Sequence, residues 1–166
     1  WPEPNSSAAG GRMMQLISIF KENGFEITFA SPALDSDFMV NLSEFEVEKK
    51  SIELNNSSFD DFIIELNPDV VLFDRFMIEE QFGWRLAENC PKAIRLLDTE
   101  DLHCLRIARQ KAFKENRVFE LTDLLSEEVA KREIASILRC DLSFIISQFE
   151  MKILNEVFKI DSGLLH

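Results

Sequence analysis

The sequence has few basic residues and few cysteines. Its 166 residues contain 18 lysines and arginines against 30 aspartates and glutamates, which gives a net charge of −12. Nucleic-acid binding needs a basic surface, so this deficit argues against nucleic acid as the main partner. The three cysteines, Cys90, Cys104 and Cys140, are odd in number and widely spaced. They have neither metal-ligand spacing nor an even disulfide framework, and they indicate a reducing compartment.

Long hydrophobic runs are also missing. No apolar stretch approaches the roughly 20 residues that a membrane-spanning helix requires. No signal peptide is recognisable, although the chain begins at Trp1 rather than Met, so a leader or a first element would lie outside it. These absences predict a cytoplasmic protein that contacts the inner face of a membrane at most peripherally. The length fits one domain over residues 1–166 with a substantial core.

Predicted strands and helices alternate along the chain. Short apolar or β-branched runs predict strands at 25–31, 47–54, 69–74, 93–97 and 142–147. Amphipathic stretches predict helices that begin after Gly11, at Ser57 or Ser58, near Met77, after His103, after a Ser126 cap and near Met151. The pattern predicts an α/β fold with a doubly wound, mostly parallel, Rossmann-like sheet. A strand normally precedes a glycine-rich turn, so we expect a first strand outside the sequence.

Many ionisable side chains follow the apolar run at 93–97. They come directly after the predicted strand and are Asp98, Glu100, Asp101, His103 and Arg106. Groups just past the carboxyl end of a parallel strand lie at the rim of the ligand crevice. So many charges in one turn compete for protons unless a ligand, a cation or nearby arginines satisfy them. The alternative is a solvated loop whose acids cap the next helix, and spacing does not decide between the two.

A glycine pair, Gly10 and Gly11, opens the first predicted helix. Glycines at a helix start let an anionic ligand approach exposed N–H groups, which the helix dipole favours. A glycine pair also serves close packing or a plain turn. Both interpretations remain open from the sequence.

The helix predicted after His103 has a local excess of basic residues within an acidic chain. It carries Arg106, Arg109, Lys111, Lys114 and Arg117 with a single acid, Glu115. Such a run forms an ordinary solvated helix face, or else a patch for an anionic acceptor or a membrane surface.

Four segments together resemble the N-terminal half of a GT-B fold glycosyltransferase of the large retaining group called family four. They are the loop 4–12, the strand 23–31, the segments 68–74 and 98–106, and the stretch 140–150. The stretch from Cys140 to Glu150 is similar to the "Ala-Asp … Ser-x-x-Glu" of that family. These segments occur in the family's order and cover nearly the whole chain.

The resemblance implies a hexosyltransferase-like enzyme of polysaccharide biosynthesis. Such enzymes move a sugar from a nucleotide-sugar donor, which is their substrate, to a saccharide or lipid-linked acceptor with retention of configuration. They need no cofactor or catalytic metal. The acceptor lies on the N-terminal domain, whereas the donor lies on a C-terminal domain with a Glu-x7-Glu motif. This chain would supply the acceptor side, would need that C-terminal domain as a partner, and would be inactive alone.

The same resemblance implies a set of site residues. Asp98 and His103 would be catalytic, although many relatives carry histidine where Asp98 stands, and His103 is not its positional equivalent. The substrate-binding residues would be Gly10, Gly11, Arg12, Glu100, Asp101, Arg106, Ser147 and Glu150. We expect the turn after Asp98 and the glycine pair to face each other across one groove.

Two other functions are compatible with an α/β chain. One is a stand-alone, non-catalytic binding or regulatory module. The other, a nicotinamide-dependent dehydrogenase, is disfavoured because the glycine pair lacks the Gly-x-Gly-x-x-Gly spacing. The second strand also ends in Ala30-Ser31 rather than in the acid that binds ribose.

Overall fold

The computed structural model describes residues 1–166 and divides them into two compact units, Trp1–Phe59 and Asp60–His166. The chain contains six helices: α1 (Ala8–Glu22), α2 (Ser58–Leu66), α3 (Phe76–Asn89), α4 (His103–Lys114), α5 (Glu128–Arg139) and α6 (Gln148–Glu156). It contains five strands: β1 (Ile27–Ser31), β2 (Val47–Ser51), β3 (Val70–Asp74), β4 (Ile94–Asp98) and β5 (Leu142–Phe144). The α/β class predicted from the alternating pattern is confirmed.

All strand pairings are parallel, but they form two small sheets rather than one. In the first unit β1 pairs with β2, and in the second unit the strand order is β3-β4-β5. The expected parallel pairing is therefore confirmed, whereas the single doubly wound sheet is not seen. The last residues add one parallel bridge between Ser143 and Leu165.

The first unit is built around a small apolar core. Its buried members are Met13, Ile17, Leu42 and Val47. The rings of Trp1 and Phe29 pack against this core, and their centroids are 5.9 Å apart. Because the buried residues of α1 are four positions apart, they lie on one face of the helix. A 3₁₀ turn at Leu42–Phe45 directly precedes β2.

The second unit buries α3 and α4 against α5, and its core includes Phe73, Leu97 and Ile137. Within that core the carboxylate of Glu79 on α3 is 2% exposed and binds the guanidinium of Arg139 on α5 through both oxygens. A carboxylate this deeply buried is stable only when such a partner satisfies it. The three cysteines are buried free thiols.

The start of α5 and the end of β5 differ from the prediction. Ser126 ends a 3₁₀ turn at Leu121–Ser126 and its hydroxyl donates to the carbonyl of Asp123, so the predicted Ser126 cap of α5 is wrong. Glu127 is the N-cap residue of α5 instead. The predicted strand 142–147 ends at Phe144, because Ser147 is the N-cap of α6 and accepts the N–H of Glu150. None of the helices combines the length and the apolar character needed to cross a membrane.

Candidate functional site

Two aspartates end neighbouring strands of the three-stranded sheet. Asp74 closes β3 and Asp98 closes β4, and the two are register partners in the parallel pairing. The backbone N–H of Arg75 donates to the carbonyl of Asp98 over 2.8 Å, which holds the two strand ends together. Asp98 itself is 1% exposed. Open α/β sheets bind their ligands at the carboxyl ends of the strands, and this sheet carries two aspartates there.

Arg75 has a strained backbone at this edge. Its φ of 71° and ψ of 156° lie in a region that essentially only glycine occupies, at a cost of about 1–3 kcal/mol for other residues. Its Nη2 donates to Asp74 Oδ2 over 2.9 Å, and its Nε lies 3.5 Å from Glu100 Oε2. A strained residue persists only where the surrounding structure holds it in place. Such residues are found mostly at binding and catalytic sites.

Glu100 faces Arg75 from the turn after β4. Its own φ is 58°, in the left-handed region. Burial raises the pKa of Glu100, the neighbouring charge of Asp74 raises it further, and Arg75 opposes both effects. A carboxyl group with a raised pKa can hold a proton closer to neutral pH than an exposed glutamate does.

Two polar atoms of this group are buried without a hydrogen-bond partner. They are Asp74 Oδ1 and Arg75 Nε, the latter within ion-pair distance of Glu100 but without hydrogen-bond geometry. Buried polar atoms are normally satisfied, and each exception costs about 1–3 kcal/mol. One acceptor and one donor at the ends of β3 and β4 thus lack a hydrogen bond within the protein.

Buried carboxylates from other helices occupy the N-terminus of α4. Glu133 of α5, 1% exposed, accepts the N–H of His103 at 2.9 Å and that of Cys104 at 3.0 Å. Glu150 of α6 accepts the N–H of Leu102 at 3.2 Å. These carboxylates satisfy N–H groups that a helix N-terminus leaves open, and their charge suits its dipole. The N–H groups they occupy are therefore not available to a ligand phosphate.

The imidazole of His103 is held between acidic groups and an aromatic ring. Its Nδ1 lies 3.2 Å from the carbonyl oxygen of Asp101 and 3.7 Å from Glu133 Oε1. The ring meets Phe76 edge to face, with 5.5 Å between centroids. Hydrogen bonding to Glu133 raises the pKa of His103, against the opposing effect of burial. These polar contacts are all made by Nδ1.

A shallow pocket of about 300 Å³ opens beside the turn. We call it the arginine pocket, and its lining residues are Asp101, Leu102, Leu105, Arg106, Arg109 and Glu150. Arg106 Nε pairs with Asp101 Oδ2 at 2.9 Å. The pocket thus combines two guanidinium groups with two carboxylates in one concave surface.

The residues predicted from the sequence are distributed over both units. Asp98, Glu100, Asp101, His103, Arg106, Ser147 and Glu150 lie in the second unit, and Gly10, Gly11 and Arg12 lie in the first. The predicted meeting of the turn and the glycine pair across a groove concerns both units and stays a prediction. Within the second unit, the turn after β4 and the start of α6 meet, because Glu150 binds Leu102.

The glycine pair lies inside the first turn of α1 rather than in a loop before it. The helix begins at Ala8, and the hydroxyl of its N-cap Ser7 accepts the N–H of Gly10. A Cβ on Gly10 would collide with the backbone of Glu3, whereas one on Gly11 would meet open space. Close packing therefore accounts for Gly10, and only Gly11 remains open to approach by a ligand.

Three residues of the site escaped the sequence analysis. Asp74 and Arg75 directly follow the clearest buried strand, so the reasoning applied to Asp98 could have found them. Glu133 gave no local signal, because its partners, His103 and Cys104, come from another helix. No group of three or more histidine, cysteine, aspartate or glutamate side chains converges closely enough to hold a metal ion.

No protein-family model matches the chain, and no curated protein matches it at a significant level.

Proposed function

We propose that this chain is the acceptor-side half of a retaining GT-B glycosyltransferase, which transfers a sugar from a nucleotide-sugar donor to a saccharide or lipid-linked acceptor. The observation that carries the proposal is the cluster at the ends of β3 and β4. There Arg75 bridges Asp74 and Glu100 from a strained backbone, and two buried polar atoms lack a hydrogen bond. Hydroxyl groups of a sugar both donate and accept, so they fit such a mixed edge.

The carboxylates, the guanidinium and the imidazole would have different chemical roles. A carboxylate accepts the proton of an attacking hydroxyl, and a guanidinium binds a phosphate or a sugar oxygen. His103 offers Nε2 to a substrate, while the buried Asp98 acts by positioning the turn that carries Glu100. Gly11 and Arg12 of the first unit would contact the donor phosphate or the acceptor. Ser147 and Glu150 would support the acceptor side through the N-terminus of α6.

The proposal also implies how the two sheets would be arranged. In a GT-B enzyme the two parallel sheets seen here would belong to one doubly wound, Rossmann-like N-terminal domain. A first strand would precede α1, and a donor-binding domain would follow the chain. The all-parallel pairing of both sheets supports this arrangement. The reaction would take place at the cytoplasmic side of a membrane or in the cytoplasm, without a cofactor.

A turnover assay on the complete gene product tests the proposal. The protein is incubated with a panel of nucleotide sugars and saccharide or lipid-linked acceptors, and release of nucleoside diphosphate is measured. Arg75→Ala and His103→Ala should each lower the rate by about 100-fold or more, since a positioned proton-transfer or charged group contributes that much. Lys152→Ala is the matched control, because its ammonium contacts only the exposed Glu156 on the same helix. Full activity of both variants, or no turnover with any donor, would overturn the assignment.

The stand-alone binding module remains the second candidate, and one observation favours it. Several acids of the region bind groups of the chain itself: Glu133 and Glu150 cap α4, and Asp101 pairs with Arg106. A complete gene product that binds saccharides but turns over no donor would support the module.

A further inference from the structure

The arginine pocket has features of a binding site that the cluster at β3 and β4 does not explain. It lies where α4 and the start of α6 meet, and it holds about 300 Å³. One arginine of its lining, Arg106, is already paired with Asp101. The contacts of the other, Arg109, are with aromatic rings, so its charge remains available.

Arg109 is held in place by stacking. Its guanidinium lies over the ring of Phe149 at 5.2 Å and over that of Phe119 at 5.6 Å. Stacking on ring faces fixes a guanidinium while leaving its N–H edges free to donate. A planar fork of donors held in this way is suited to two oxygens of a phosphate or carboxylate.

Glu150 supplies the second, independent feature. The residue is 7% exposed, and its Oε1 accepts the N–H of Leu102, yet its Oε2 is buried without a hydrogen bond. Burial raises the pKa of this carboxyl group. An unsatisfied oxygen in the wall of a pocket is stabilised by a ligand hydroxyl that donates to it.

We propose that the arginine pocket binds a phosphorylated polyol, with the phosphate on Arg109 and a hydroxyl donating to Glu150 Oε2. The pocket volume matches one small ring or a short polyol chain with its phosphate. A soluble sugar phosphate and a phospholipid headgroup with free hydroxyls share this chemistry. If the proposed sugar transfer holds, this ligand is the charged end of the acceptor. Only this identification rests on the proposed function.

Binding to the full chain, without any donor, tests the pocket. The soluble probes are glucose 6-phosphate, glucose and inorganic phosphate, titrated by calorimetry or by chemical-shift changes. The lipid probes are phosphatidylcholine vesicles with and without phosphatidylglycerol. We expect glucose 6-phosphate or the phosphatidylglycerol vesicles to bind, phosphate to bind more weakly, and glucose not to bind. The arm that binds more tightly identifies the source of the ligand.

Variants assign the binding to the pocket. Arg109→Ala should weaken it by about tenfold or more, because a charge-assisted contact to phosphate is lost. Glu150→Gln replaces Oε2 by a donor and should weaken the hydroxyl-bearing probe while leaving inorganic phosphate unchanged. Lys92→Ala is the matched control, since it removes an exposed positive charge outside the pocket.

Three results would overturn the inference. The first is that neither glucose 6-phosphate nor the phosphatidylglycerol vesicles bind. The second is an equal loss of affinity in Arg109→Ala and Lys92→Ala. The third is an affinity for glucose 6-phosphate that equals that for phosphate and does not respond to Glu150→Gln. Because Arg109 is exposed, its variant remains informative even if Glu150→Gln fails to fold. Donor turnover is not measured here, so failure of the pocket and failure of sugar transfer are distinguishable.

Discussion

The carboxylate of Glu133 accepts the backbone N–H of His103 over 2.9 Å, from a position 30 residues further along the chain. Its other oxygen binds the next N–H, that of Cys104. One buried side chain of α5 thus fixes where α4 begins and where the imidazole of its first residue lies. Stability and site geometry are coupled at this residue.

Replacing Glu133 by glutamine should therefore destabilise the protein strongly. The amide nitrogen of Glu133→Gln would face one of the two N–H donors, and the charged acceptor would be lost. We expect the free energy of unfolding to fall by about 2–4 kcal/mol, measured by urea denaturation. Glu128→Gln on the same helix is the control, because Glu128 pairs only with Lys131 at the surface. Equal stability of the two variants would contradict the buried cap.

The two adjacent glycines should respond oppositely to alanine. Gly10→Ala would drive a methyl group into the backbone of Glu3 and should cost about 1–3 kcal/mol of unfolding free energy. Gly11→Ala meets open space within a helix and should gain about 0.5–1 kcal/mol, because alanine loses less backbone entropy. Thermal and urea unfolding of both variants would check this. A stabilising Gly10→Ala would refute the close packing of α1.

Arg75 allows a direct test of backbone strain. Arg75→Gly and Arg75→Ala both remove the guanidinium, so their difference isolates the backbone. Glycine occupies a φ of 71° and a ψ of 156° without strain, and this relief exceeds its larger entropy cost. The glycine variant should be more stable than the alanine variant by about 1 kcal/mol in urea denaturation. An alanine variant at least as stable as the glycine variant would show that the backbone is not strained.

His103 should make stability depend on pH near neutrality. Its pKa is raised in the folded protein, chiefly by Glu133, so the folded state favours the protonated ring. That contribution is fully present below the ordinary histidine pKa of about 6.5 and is lost as the pH rises through the folded value. The neighbouring Asp101 acts in the same direction, while burial beside Phe76 opposes it.

The measurement compares the free energy of unfolding at about pH 6 and about pH 8.5 in the wild type and in His103→Asn. The wild type should lose more stability over this interval than the variant. Burial also raises the pKa of Glu100 and Glu150, so only the difference between the two proteins isolates the histidine. A slope unchanged by His103→Asn would exclude the coupling to Glu133.

The amino-acid sequence by itself determined the elements and their order. The short apolar runs at 70–73 and 93–97 are typical of strands in a parallel sheet, so β3 and β4 were predicted nearly to the residue. The change from apolar to charged residues at Asp98 also marked the end of β4, so the acids that follow it could be recognised from the sequence. The local pattern also placed α2 and α3 within a residue or so of their observed starts.

Only the tertiary structure decided what these groups contact. Ser126 looked like a cap of α5, but the 3₁₀ turn before the helix uses its hydroxyl, and Glu127 takes the cap position. Glu133 reads as an ordinary helix acid until packing of α5 against α4 buries it among N–H groups. The sequence pattern reports burial and periodicity over a few residues. Hydrogen bonds between residues 30 or 48 positions apart depend on how whole helices pack, and no local pattern encodes that.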